Sequence, residues 1–282
     1  MGGLNEREEI VHRFVRDDHS CRLFVYGRRG RMIDLFGINK TVLAIEMLRQ
    51  MEPKDGYYLA FSGGKDSVVL YELARLANVK FDAHFHITVD PPELVKFIRE
   101  NYNNVIHDRP QKTMWQIIST HLMPPTRTIR YCCKELKEGG GEGRVVLTGV
   151  RADESNKRRR WRHINPCSNR GTTLIHPILW WSGDEIWSFI KERGLPYCRL
   201  YDEGFRRIGC VGCPMAGPDT QRKEFARWPK IRMAYVHAFE KMLKERKGHG
   251  KGNYTWESGE EVMAWWLQEG RKENDEEQPL FA

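Results

Sequence analysis

None of the apolar runs in this 282-residue chain is both long and uncharged, and mean hydropathy is −0.63. A helix that spans a bilayer needs about 20 consecutive apolar residues, so no membrane segment is expected. The first residues, MGGLNEREEIVHRFVRDDHS, are charged throughout and lack the apolar stretch of a signal peptide. The expected compartment is therefore the cytoplasm. There is no internal repeat, which excludes solenoids and propellers. There is no G-x-x-x-x-G-K-[ST] segment either, so a Walker-type nucleotide site is excluded. No cysteine follows Cys213.

What is present begins with charge. Lys and Arg number 46 against 38 Asp and Glu, a formal net charge of +8. Such a surplus favours polyanionic partners, nucleotides or nucleic acid. The seven cysteines are Cys21, Cys132, Cys133, Cys167, Cys198, Cys210 and Cys213. An odd number with one adjacent pair, in a cytoplasmic chain, points to metal binding or redox chemistry before structural disulfides.

Strand and helix patterns alternate along the middle of the chain. Strands are expected over 57–61, 81–89 and 145–150, with a short one near Val105. Helices are expected over 41–51, 68–77, 92–102, 113–121 and 183–193. From Pro214 onward the pattern is helical and charged. This order implies an α/β fold with a mainly parallel sheet flanked by helices. It divides into an N-terminal extension (1–55), a nucleotide-binding domain (56–217) and a helical C-terminal region with an acidic tail (218–282). The extension holds a short Arg-Gly turn at 27–31.

The stretch YYLAFSGGKDSVVL, from Tyr57 to Leu70, joins the first strand to the next helix. Gly63 and Gly64 let the backbone approach an anion. The helix N-terminus supplies amide donors and partial positive charge. Ser62 and Ser67 add hydroxyls, Lys65 adds a cation, and Asp66 orients the loop or helps to hold Mg²⁺. The arrangement suits a phosphate.

Ser62-Gly63-Gly64-Lys65-Asp66-Ser67 resembles the PP-loop, S-G-G-x-D-S, of the adenine nucleotide α-hydrolase superfamily. Leu147-Thr148-Gly149-Val150-Arg151-Ala152-Asp153-Glu154-Ser155 is similar to the G-x-R-x-x-E-S segment of the phosphoadenosine phosphosulfate (PAPS) reductase family. Pro177-Ile178-Leu179-Trp180-Trp181 and Leu200-Tyr201-Asp202-Glu203-Gly204 match that family as well. The resemblance implies a Rossmann-like fold and nucleotide contacts at Ser62, Gly63, Gly64, Lys65, Asp66, Ser67, Asp90, Gly149 and Arg151. On the residues alone, Arg151 is either a phosphate ligand or half of a salt bridge, for instance with Glu154. Asp90 either contacts nucleotide or caps the turn before Pro91-Pro92.

Cys132-Cys133 together with Cys210-x-x-Cys213 resembles the ligand set of iron–sulfur sulfonucleotide reductases and implies a [4Fe–4S] cluster. Zinc is the rival occupant, and Cys167 or Cys198 is an alternative ligand. Such reductases use a cysteine nucleophile near the C-terminus, which this sequence does not offer after Cys213. They also carry a degraded loop, whereas this one is intact. The combination resembles ATP-dependent sulfurtransferases, including tRNA thiolases and the enzymes of DNA phosphorothioation. It implies cleavage of ATP to AMP and pyrophosphate with Mg²⁺, Lys65 and Asp66 being catalytic. A persulfide donor such as a cysteine desulfurase, or thioredoxin, is the implied protein partner.

The alternatives are a reductase acting on PAPS or adenylyl sulfate (APS), and a non-catalytic nucleotide- and cluster-binding sensor. Lys157-Arg158-Arg159-Arg160-Trp161-Arg162-His163 is the densest basic run and a candidate contact to DNA or tRNA. Gln278-Pro279-Leu280-Phe281 loosely resembles the peptide by which bacterial proteins bind the replication sliding clamp.

Overall fold

The computed structural model describes residues 39–167, 171–248 and 256–268, with the side chain of Cys167 left aside. Cys21, the turn at 27–31, the acidic tail and Gln278-Pro279-Leu280-Phe281 lie outside the described residues.

The described residues form a six-stranded sheet in the order β3-β2-β1-β4-β6-β5. The strands are β1 (Tyr57–Ala60), β2 (Phe81–His86), β3 (Ile106–Asp108), β4 (Val145–Leu147), β5 (Ile164–Cys167) and β6 (Thr172–Ile175). All neighbours are parallel except β5, which runs antiparallel to β6. β1 is central, and its Tyr57, Tyr58 and Leu59 are all buried, as expected of a parallel strand covered on both faces. The mainly parallel α/β fold with flanking helices is thus as the sequence implied.

Helices α1 (Lys40–Gln50) and α2 (Lys65–Ala77) pack against each other. The Tyr57 hydroxyl donates to the Leu48 carbonyl at 2.8 Å. α1 is pinned at its first residue. The Lys40 ammonium is buried and donates to Glu185 at 2.7 and 2.9 Å and to the Trp180 carbonyl at 3.0 Å. Glu185 belongs to α6 (Gly183–Arg193), whose N-terminus is a full capping box closed by Ser182.

Between β2 and β4 lie α3 (Pro92–Asn101), α4 (Met114–His121) and α5 (Tyr131–Leu136). β2 stops at His86 rather than Val89, because Asp90 folds back to accept from the Thr88 amide and hydroxyl at 2.7 and 2.9 Å. β4 stops at Leu147, where the chain turns towards Gly149. The β5–β6 hairpin and α5 carry too few residues for a periodic signal, and neither is expected from the sequence.

α7 (Pro218–Arg227), α8 (Pro229–Gly248) and α9 (Gly259–Trp266) close the described chain. They share the core with α4: Tyr235, Phe239 and Met242 of α8 are buried completely or nearly so. Arg246 donates to the Leu122 carbonyl at 2.7 Å, and Trp266 donates to the Pro125 carbonyl at 2.6 Å. Trp265 and Trp266 form the packing face expected of them. Among the described residues no helix is long and apolar enough to cross a membrane.

Candidate functional site

The strand order reverses between β1 and β4, because β2 and β3 lie on one side of β1 and β4 on the other. In open α/β sheets, ligands bind outside the carboxyl ends of the strands at such a reversal. The loop Ser62-Gly63-Gly64 leaves β1 at this crevice, and Gly149 follows β4 on its far side. Gly149 packs so closely on the first turn of α2 that a Cβ there would lie 3.1 Å from the Asp66 carbonyl carbon.

The loop is built from its own residues. Gly63 has φ +71°, and a Cβ there would strike Ile98 Cδ1 at 2.6 Å and Leu94 at 2.9 Å, both on α3. Only glycine fits that turn. The Gly64 amide donates to Ser62 Oγ at 3.3 Å, Ser62 Oγ donates to Ser67 Oγ at 3.2 Å, and Ser67 Oγ donates to the Gly64 carbonyl at 2.8 Å. A further tie of the loop backbone is distant: the Lys65 amide donates to the Tyr201 hydroxyl at 3.0 Å. Burial pushes the Tyr201 phenol up, so it stays neutral.

Asp66 is held between two cations, Arg151 Nε at 2.6 Å and Lys65 Nζ at 3.2 Å. Arg151 is 5% exposed and also contacts Asp153 at 3.3 Å and the Trp181 carbonyl at 3.2 Å. In this ligand-free arrangement Arg151 is therefore half of a salt bridge, with Asp66 rather than Glu154 as the main partner. Glu154 instead accepts from the Arg151 amide at 3.1 Å and pairs with Arg158. Both Asp66 oxygens face cations, which suits a loop-orienting role better than a Mg²⁺ ligand.

The cysteines come from two segments. Cys132 and Cys133 sit in the first turn of α5; Cys210 and Cys213 bracket a turn in which the Cys213 amide donates to the Cys210 carbonyl at 3.2 Å. The thiols of Cys132 and Cys133 are hydrogen-bonded to each other. This bond pulls the Cys133 thiol below its ordinary range, and together with burial it pushes Cys132 up, with Cys210 and Cys213 adding to the rise. All four thiols are thus within electrostatic reach of one another. Among the described residues, no three Cys, His or carboxylate side chains already surround a point that could hold a metal ion. The donor set fits a thiolate-ligated group all the same, and a cation stands ready to offset its charge. Burial alone would lower the Lys137 ammonium, but Cys210, Asp90 and Cys213 facing it hold it above its usual range. The ammonium is hydrogen-bonded to the Cys210 thiol, while the residue as a whole is exposed.

Buried polar groups fix the Cys210–Cys213 turn. The Gly212 amide donates to Glu224 at 2.7 Å, Gln221 donates to the Gly212 carbonyl at 3.0 Å, and Tyr235 donates to the Val211 carbonyl at 3.1 Å. Gly212 has φ +73°, and a Cβ would meet the Phe225 ring at 2.4 Å. Burial pushes the Glu224 carboxyl up to about 7, against the opposing pull of the Gly212 amide. Thr88 joins the two halves of the site: its hydroxyl is 2.9 Å from Asp90 and 3.1 Å from Cys210 Sγ. Asp90 therefore does cap its turn, and it does so beside the thiols.

The profile of the phosphoadenosine phosphosulfate reductase domain matches residues 56–216, more than half of the chain. The chain belongs to that family. Curated relatives include the adenosine 5′-phosphosulfate reductase of Staphylococcus haemolyticus (strain JCSC1435). It is 26% identical over 189 residues, which cover 62% of this chain and 76% of the relative. The reductase of the same name from Bacillus mycoides (strain KBAB4) is also 26% identical, over 67% of this chain and 86% of its own length. Among solved structures, the phosphoadenylyl-sulfate reductase of Candida auris aligns with TM-score 0.47 at 18% identity, covering 59% of this chain and 87% of that one. The U34-tRNA thiolase NcsA of Methanococcus maripaludis with its [4Fe–4S] cluster aligns with TM-score 0.36 at 12% identity, covering 82% and 86%.

Within this family member, Cys198 is buried completely. Its thiol is raised by burial, and its charged neighbours are Glu93, Arg199 and Glu203 rather than the four cysteines. The basic run divides. Lys157, Arg159, Arg160 and Arg162 are exposed, whereas Arg158 pairs with Glu154. His163 is kept neutral by burial and bonds the His176 carbonyl at 2.8 Å. Trp161 leans on the buried His176 ring at 5.2 Å, so it is a packing residue here. Sequence reasoning missed Tyr201, Thr88, Lys137, Gln221, Glu224 and Tyr235 as site residues. Only Tyr201 carried a signal, inside the matched Leu200–Gly204 stretch.

Proposed function

We propose that the protein is an adenine-nucleotide-cleaving enzyme of sulfur transfer. The formed loop carries the reading: its amides, Ser62, Ser67 and Lys65 lie at the strand-order reversal, opposite Gly149 and Arg151, as a pyrophosphate site requires. An acceptor oxygen attacks the α-phosphorus of ATP. The bond to the bridging oxygen breaks, and pyrophosphate leaves with its charge on Lys65, the loop amides and the accompanying Mg²⁺. The outer sulfur of a persulfide donor protein then attacks the acceptor atom that bears the activated oxygen, and AMP leaves with that oxygen. A dithiol reductant such as thioredoxin supplies the two electrons that split the resulting S–S bond and free the donor as its thiol.

Cys132, Cys133, Cys210 and Cys213 would hold a [4Fe–4S] cluster, with Lys137 balancing its negative charge. Such a cluster supplies a binding place for sulfur next to the nucleotide. The exposed Lys157, Arg159, Arg160 and Arg162 support a nucleic-acid acceptor. A second reading, reduction of APS or PAPS to sulfite, is favoured by the activity named for the 26%-identical relatives.

Product analysis on anaerobically purified protein tests both. AMP and pyrophosphate from ATP, stimulated by nucleic acid, are expected. Sulfite from APS or PAPS with ATP untouched would establish the reductase, and binding without turnover would leave a sensor. Cys210→Ser is expected to remove iron and the broad absorption near roughly 400 nm characteristic of such clusters; full iron retention would remove Cys210 from the ligand set.

A further inference from the structure

A cavity of about 290 Å³ opens beyond the carboxyl ends of β2 and β3. Its walls are Ile87 and Val89 after β2, Pro110 after β3, Met114 and Trp115 of α4, and Leu136 of α5. Thr88, Thr113 and Arg109 complete the lining. None of Ser62, Gly63, Gly64, Lys65, Asp66, Ser67, Gly149 or Arg151 lines it, so it is separate from the nucleotide loop, and its Thr88 bonds Asp90, the implied nucleotide contact after β2.

We propose that this cavity is a second base site, which holds one nucleotide unit with its ring against Trp115 and its phosphate on Arg109. Three observations carry this. The lining is apolar apart from two hydroxyls and one cation. Such a wall matches a flat, weakly polar ring with a single anionic group at one end. The volume lies near the lower limit of small-molecule pockets, roughly 300 Å³, which suits one ring system and not a whole dinucleotide. Arg109 is exposed and has no hydrogen-bond or ion-pair partner among the described residues, so its guanidinium is available for bidentate contact with a phosphate.

Trp115 is already fixed for the purpose. Its ring meets Tyr235 edge-on, with centroids 4.9 Å apart at 88°, so stacking a base on it costs little side-chain ordering. Position supplies the role. Thr88 is in the cavity wall and its hydroxyl lies 3.1 Å from Cys210 Sγ. A base in the cavity would stand one side chain from the thiols. That is where a sulfur acceptor has to approach if ATP fills the loop, and this part of the proposal rests on the sulfur-transfer reading.

The test is equilibrium binding to the full-length chain with the loop saturated by a non-hydrolysable ATP analogue. The probes are the four deoxynucleoside 5′-monophosphates and, separately, short mixed-sequence single-stranded DNA. One further equivalent of at least one probe is expected to bind. Arg109→Glu, at an exposed position, should weaken it about tenfold or more. Ile87→Trp, which fills the cavity, should abolish it. Neither change should alter acceptor-independent ATP cleavage. Binding of monophosphates alone identifies a free nucleotide as the ligand, and binding of the strand with the same sensitivity to both variants identifies an unstacked residue of nucleic acid. No further equivalent, or one indifferent to both variants, overturns the site. If the equivalent binds while ATP is never cleaved, the cavity stands and the sulfur-transfer reading falls; ATP cleavage without the equivalent removes the cavity alone.

Discussion

The nucleotide loop and the cysteine site lie at the same edge of the sheet but are built in opposite ways. The loop is six consecutive residues whose serines and glycines bond one another, with two distant ties, the Lys65 amide to Tyr201 and the Asp66 carboxylate to Arg151. The cysteine site joins segments about eighty residues apart, and its second half hangs on Glu224, Gln221 and Tyr235 from α7 and α8. A site encoded locally is fixed as soon as its strand and helix form. A site assembled from a distance is only as well placed as the helices behind it. The two should therefore fail independently.

The largest effect is expected at the loop. Gly63→Val puts a β-branched residue at φ +71° and drives its Cβ into Ile98. Displacing the loop by even 1 Å should reduce ATP cleavage by about 100-fold or more. Iron content should be unchanged, because the atoms that a Cβ there would strike belong to Ile98 and Leu94 of α3 and not to a cysteine segment. Joint loss of iron and nucleotide binding, with the fold intact by circular dichroism, would show that the two regions are one cooperative unit.

The converse break is Glu224→Ala. It leaves the Gly212 amide buried without its acceptor and frees the Cys210–Cys213 turn. Supporting groups of this kind are worth roughly 10- to 100-fold in metal affinity, so iron retained through gel filtration should fall accordingly. ATP-analogue affinity should hold. Unchanged iron would mean that Gln221 and Tyr235 suffice to place the turn.

Proton linkage separates the regions more finely. Burial raises the Glu224 carboxyl from its ordinary range up to about 7. Between its unfolded value and about 7 the folded chain binds more protons than the unfolded one, so stability falls as pH rises through that window. The loss should be on the order of 2 kcal/mol between pH 5 and pH 8. Glu224→Gln should flatten that part of the profile in denaturant titrations, whereas loop variants should leave it in place.

The same contrast explains what the sequence made legible. The loop, its helix and Gly149 could be read because their chemistry is contiguous and the glycines mark the turns. The sheet could be read because β1 and β4 are short apolar runs and β2 alternates Phe81, Ala83 and Phe85 with polar residues. The cysteines were legible as a set of types, but their supports were not. Gln221 and Glu224 look like surface residues of a charged helix, and only the approach of α7 to Gly212 makes them internal. His163 and Trp161 fail in the same way. Next to arginines they read as part of a basic surface, and β6 turns them into packing around His176. Arg151 offered two readings, and the choice depended on Asp66, eighty-five residues earlier.

The smallest and most discriminating test concerns the one contact that the loop's backbone amides borrow from a distant side chain. In the ligand-free chain the Lys65 amide donates to the Tyr201 hydroxyl, yet that amide lies where an anion needs a donor. If the hydroxyl is a placeholder, Tyr201→Phe frees the amide and pyrophosphate should bind severalfold tighter, about 1 kcal/mol or less, the scale of one neutral hydrogen bond. Isothermal titration with pyrophosphate measures this directly. Weaker binding would mean that the phenol itself faces the phosphate. The loop would then depend on the Leu200–Gly204 segment as the cysteine turn depends on α7, and the difference between the two regions would be one of degree.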